Sequence, residues 1–104
     1  MDYLVRVKER YPYMSDSDVK RTVEYAKSLY YNHRFPTDVS IDEATYEIPQ
    51  RHKTLILQIC DELVERAGIS SAVGYAENGV SISFDNAHIS KELLNQIPPV
   101  VSGV

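Results

Sequence analysis

The sequence predicts a mainly α protein: a small bundle of three main helices over 2–11, 16–34 and 50–67, plus a short C-terminal helix near 90–96. Three observations predict it. The stretch Pro49 to Gly68 holds no helix breaker between a proline suited to a first helical position and a glycine suited to the left-handed position past the last turn. Apolar residues recur at helical spacing in the two segments before it. An alternating pattern, expected as a β-hairpin or extended loop, is confined to about 73–84.

The first segment carries Tyr3, Leu4, Val7 and Tyr11 at helical spacing between Arg6, Lys8, Glu9 and Arg10, and Pro12 stops it. Ser15-Asp16-Ser17-Asp18 then opens the second helix, because short oxygen-bearing side chains accept from free N–H groups and negative charge suits the dipole. Its predicted buried face is Val19, Val23, Ala26, Leu29, Tyr30 and His33, with Arg34-Phe35-Pro36 as the stop. Residues 37–48 form a connection, in which Ser40-Ile41-Asp42-Glu43 has the form of a capping box and one or two helical turns are expected.

Winding Pro49 to Gly68 at 3.6 residues per turn gathers His52, Leu55, Ile56, Leu57, Ile59, Cys60, Leu63, Val64 and Ala67 on an arc of roughly 200°. Arg51, Thr54, Gln58, Asp61, Glu62 and Glu65 take the other face. Such a helix is the central rod of a bundle, or it meets two sets of neighbours. Beyond it, Asn78-Gly79 between Val73–Glu77 and Val80–Phe84 reads as a type I′ turn, pairing Tyr75 with Ile82 and Val73 with Phe84. Ser90 caps the last helix, with Leu93, Leu94 and Ile97 on one side. Pro98-Pro99 ends it before the apolar tail Val100-Val101-Ser102-Gly103-Val104.

Length bounds the rest. At 104 residues the chain is read as one domain, 1–104, with 97–104 as its tail; 43% apolar and 25% charged content suits a soluble globular protein. No apolar run has membrane-spanning length, and the opening residues do not read as a signal peptide. The net charge of −4 argues against general nucleic-acid affinity, because phosphate binding needs clustered Lys and Arg. The single cysteine, Cys60, fits a reducing compartment.

Catalytic signatures are hard to find. His33, His52 and His88 lack a second histidine at metal-ligand spacing, and packed or surface roles are the expectation for them. Cys60 sits among Ile56, Ile59 and Val64, so an inert thiol is expected. Asp61, Glu62 and Glu65 read as a solvated face rather than an acid/base pair. The four glycines form no phosphate loop, and the aromatic-basic run Tyr30 to Phe35 has no further basic patch to support single-strand binding. Expectation therefore falls on a protein that is not an enzyme and has no metal or cofactor. A hairpin with nothing to complete it and an apolar tail point to a fold finished by assembly.

The order of these elements, with Tyr-Tyr-Asn-His-Arg-Phe-Pro closing one helix, Leu-Val-Glu-Arg-Ala-Gly closing the next, then Glu-Asn-Gly-Val-Ser-Ile-Ser-Phe and Ile-Ser-Lys-Glu-Leu-Leu-Asn-Gln-Ile-Pro-Pro, resembles the small head–tail connector (adaptor, or head-completion) proteins of long-tailed bacteriophages. The resemblance runs from about Leu4 to Val101, and Glu65–Gly68 and Glu77–Ile97 are its most specific parts. It implies a structural virion protein at the head–tail interface, present in the host cytoplasm during assembly. Its partners would be copies of itself in a ring, dodecameric in the virion, the portal protein and the next tail-side completion protein. DNA would pass through the channel without specific binding. It also implies a subunit interface at Tyr75, Val80, Ile82 and Phe84 and a portal contact at Ile97, Val100, Val101 and Val104. The alternative is a small intracellular regulatory module docking a protein partner through a tyrosine-rich face, since eight tyrosines are many for this length.

Overall fold

The computed structural model describes residues 2–35, 42, 45–69, 71–77 and 89–99, with only the backbone described for 75–77. The chain is mainly helical, and no strand occurs among the described residues. Helix α1 spans Tyr3–Arg10, α2 Asp16–Arg34, α3 Gln50–Arg66, α4 Ala72–Glu77 and α5 Lys91–Leu94.

The caps explain the boundaries. The Asp2 carboxylate accepts from the N–H groups of Leu4 and Val5 at 3.0 and 3.3 Å, and Lys8 and Arg10 sit at the negative end of the α1 dipole. The Ser15 hydroxyl accepts from Asp18 N–H at 3.2 Å to start α2, and Ser90 accepts from Leu93 N–H at 3.3 Å to start α5. Pro49 lies one position earlier than expected. It is the extended residue before the helix, and its carbonyl accepts from the N–H groups of His52 and Lys53. At the other end Gly68 has φ 75°, with Gly68 N–H on the Glu65 carbonyl and Ile69 N–H on that of Val64, a Schellman stop. In the connection, the N–H groups of Thr45 and Tyr46 bond back to the Asp42 carbonyl, a single turn. Ser40, Ile41 and Glu43 of the expected capping box lie outside the described residues.

Helices α2 and α3 form the main pair, α1 lies across both, and α5 packs on α3. Helix α1 runs antiparallel to α2: Lys8 meets Asp16 at the start of α2, 3.5 Å apart, and Lys27 stands over the Tyr3 ring at 4.9 Å. The α3 arc is as read from the pattern, with His52, Leu55, Ile56, Ile59, Cys60, Leu63 and Val64 all buried and Leu57 and Ala67 at the margin. Each fully buried aliphatic side chain contributes about 1.5–3 kcal/mol relative to exposure. On α2, Leu29 and His33 are half-buried rather than buried, and Asp18 and Thr22 are buried unexpectedly. The Thr22 hydroxyl donates to the Asp18 carbonyl at 2.8 Å, which lets a polar side chain sit in the interior.

The expected first hairpin strand is helical instead. Val73–Glu77 belongs to α4, so Tyr75 is not in a strand facing Ile82. The local reason lies in Ser71, whose hydroxyl accepts from Gly74 N–H at 3.0 Å, and in the helix-favouring Ala72 and Ala76. Two β-formers, Val73 and Tyr75, do not outweigh a cap and two alanines. The turn at Asn78-Gly79 and the strand at Val80–Phe84 lie outside the described residues.

Candidate functional site

Two places on the bundle fix the chain by long-range hydrogen bonds. The first is the pair Ile69 and Ser90, on either side of 70–88. Ile69 is buried, and its carbonyl accepts from the Tyr13 hydroxyl at 2.6 Å. The N–H of Ser90 donates to the Glu62 carboxylate at 3.0 Å. Val73 on helix α4 is 68% exposed. Helix α4 nonetheless folds back closely on the end of α3. A Cβ built on Gly74 would stand 2.4 Å from the Gly68 carbonyl oxygen, so only glycine fits there.

Of the three carboxylates expected on a solvated face, Glu65 is exposed, while Asp61 and Glu62 are half-buried struts of this end. Asp61 accepts from the Tyr11 hydroxyl at 2.8 Å and pairs with Arg10 at 2.7 Å, and Glu62 holds Ser90. Burial and the bond to Asp61 push the Tyr11 phenol well above its ordinary value. Sequence periodicity could not find these roles, because each partner lies far away in the chain.

The second place is the C-terminal exit. Arg34, at the end of α2, donates through Nη1 to the Pro98 carbonyl and lies 5.7 Å from the Phe35 ring centroid. Ile97, expected on a contact surface, is fully buried and anchors the segment in the chain's own core. Val100, Val101 and Val104 lie outside the described residues, as do Val80, Ile82 and Phe84.

Beside this exit is an aromatic cluster. Tyr31, Phe35 and Tyr46 pack on one another, Phe35 and Tyr46 edge to face at 4.9 Å between centroids. Beneath them Tyr30 Oη lies 2.7 Å from His52 Nδ1 and 3.3 Å from Tyr46 Oη. His52 Nε2 is buried with no hydrogen-bond partner among the described residues, so either neutral tautomer leaves one ring nitrogen unpaired there. Burial, then Arg34 and Arg51, lowers the His52 pKa. The cluster gives an interior network, with Tyr30 buried and Tyr31 half-buried, rather than an open stacking platform.

Cys60 is buried and its thiol is pushed up to about 12 by desolvation, then by Asp61. Among the described residues no group of His, Cys, Asp and Glu gathers to hold a metal, and no helix is long and apolar enough to cross a membrane. Of the tyrosines whose side chains are described, Tyr3 and Tyr30 are buried and Tyr11, Tyr13, Tyr25, Tyr31 and Tyr46 are half-buried. The hydroxyls of Tyr11, Tyr13 and Tyr30 bond within the chain.

No protein-family model, curated protein or solved structure matches this chain.

Proposed function

We propose that the chain is a non-enzymatic ring subunit of the head–tail connector type, joining a portal to a tail and lining a DNA channel. The observation that carries this reading is the pair of fixed points on either side of 70–88. The bundle closes its core around α3 and holds the chain before and after that segment, through Tyr13 at Ile69 and Glu62 at Ser90. A segment whose two ends are fixed can be presented to a neighbour in a set position, and the exposed Val73 lies within it. Contacts between different patches of identical subunits close into rings when the rotation fits.

Two further features support it. The net charge of −4, repeated around a ring, gives a channel wall that repels phosphates, so DNA slides. Ile97 and Arg34 fix the point from which the apolar Val100–Val104 segment starts, as a portal-docking tail requires.

Native mass spectrometry of the full chain with portal-bearing heads tests the reading. A closed ring bound to the portal is expected, and removal of residues 100–104 should abolish attachment without changing the subunit's melting temperature. A chain that stays monomeric and leaves such heads bare overturns the function. Full occupancy by the truncated chain overturns the tail's role.

A further inference from the structure

Where the 42–49 connection meets α3 and the C-terminal exit, one titratable ring is buried. His52 is 2% exposed and stands edge to face with Tyr30, 5.6 Å between ring centroids. Its Nδ1 bonds to Tyr30 Oη, which reaches Tyr46 Oη in turn. Its Nε2 has no partner among the described residues. A second proton makes both ring nitrogens donors, so Nε2–H becomes a buried, charged donor with no acceptor there.

The groups around the ring give that charge no relief. Tyr30 and Arg34 come from α2, with Tyr31 packed on Tyr30, while Tyr46 comes from the connection and Arg51 from α3 itself. Arg34 and Arg51 are cations. Burial and the bond to Tyr46 push the Tyr30 phenol above its ordinary value, so it stays neutral. His52 also lies in the first turn of α3, at the positive end of its dipole. Among the described residues no carboxylate acts on it.

The same contacts hold three pieces of chain. Tyr46 anchors the turn in which its N–H bonds to the Asp42 carbonyl. The first turn of α3 has no side-chain cap and rests on the Pro49 carbonyl, which accepts from His52 and Lys53. Arg34, whose charge acts on the ring, donates through Nη1 to the Pro98 carbonyl beside the buried Ile97. A charge on His52 is relieved by withdrawing Arg34 and by letting water in past Tyr46, and each movement loosens one of these pieces.

We infer that His52 is an acid-operated latch: with a second proton on its ring, the Tyr46 turn, the first turn of α3 and the Pro98 exit open together while the rest of α2 and α3 stays paired. The latch does not depend on the ring-subunit reading.

Hydrogen exchange of the full chain, read amide by amide at increasing urea below the unfolding transition, tests it. The amides of Tyr46, His52, Lys53 and Ile97 are each bonded to a backbone carbonyl and report the three pieces. They should exchange through one shared opening that low urea hardly changes, whereas Ile59 and Leu63 should exchange only with global unfolding. Corrected for the intrinsic rate, an opening that exposes one histidine of ordinary value near 6.5 gains up to about tenfold between pH 7.5 and 5.5. His52→Gln keeps a polar side chain there and should remove that gain. Arg34→Gln should speed Ile97 at both pH values and uncouple it from the gain at Tyr46, His52 and Lys53. Exchange of these four amides only with global unfolding, a gain that survives in His52→Gln, or an Ile97 amide that does not follow Tyr46 in the parent overturns the latch. Where His52→Gln fails to fold, the shared opening in the parent and its pH gain decide.

Discussion

In the α2–α3 pair Val23, Ala26, Tyr30, Ile56, Ile59 and Leu63 are no more than 3% exposed, whereas Val73 on α4 is 68% exposed. The pair is held by packing along its whole length. Among the described residues the α4 region is held at points: Ser71 on Gly74, Tyr13 on Ile69 and Glu62 on Ser90. Packing distributes stability over many contacts, so the pair melts with the domain. Point attachments fix a direction and leave a side chain such as Val73 in solvent. The difference teaches that this chain separates a packed pair that folds it from a short helix that is only aimed by it.

The largest effect belongs to the pair. Ile59→Ala or Leu63→Ala removes a fully buried side chain and should cost about 2–5 kcal/mol in urea unfolding. Either variant melting like the parent would break the comparison at its stronger side.

Tyr30→Phe comes next. It takes from His52 its one described hydrogen-bond partner and should cost about 1–3 kcal/mol, read from the same unfolding curves. The His52 network also makes stability depend on pH. Its folded pKa lies below the unfolded value near 6.5, so the unfolded chain binds the extra proton. Stability is full above about pH 6.5 and declines as the pH falls below it. In the His52→Gln variant that decline should flatten, which unfolding curves at pH 7.5 and 5.5 would show.

Gly74→Ala sharpens the other side. Its Cβ meets backbone, so α4 or the turn before it must move, at a local cost of about 1–3 kcal/mol. Hydrogen exchange at amides 71–77 should accelerate while the global unfolding midpoint changes little. A loss of global stability equal to that of Ile59→Ala would show that α4 belongs to the core.

The smallest effect is expected at the surface. Val5→Ser and Val73→Ser should each change stability by less than about 0.5 kcal/mol, since both side chains are exposed.

What the sequence determined alone was local or periodic. The 3.6-residue pattern set the buried arc of α3. The oxygens of Ser15 and Ser90 set helix starts, and Gly68 set a left-handed stop, because each such signal acts within a turn of itself. Tertiary structure decided everything that joins distant residues. Asp61 and Glu62 look like solvated acids until Tyr11, Arg10 and Ser90 arrive from elsewhere in the chain, and Ile97 looks like part of a tail until the α3 core closes over it. The helix at 72–77 was decided between the two levels. Alternation there matched a strand, but a strand needs a partner to supply its hydrogen bonds, while a capped helical turn supplies its own, and Gly74 alone could fit beneath the Gly68 carbonyl.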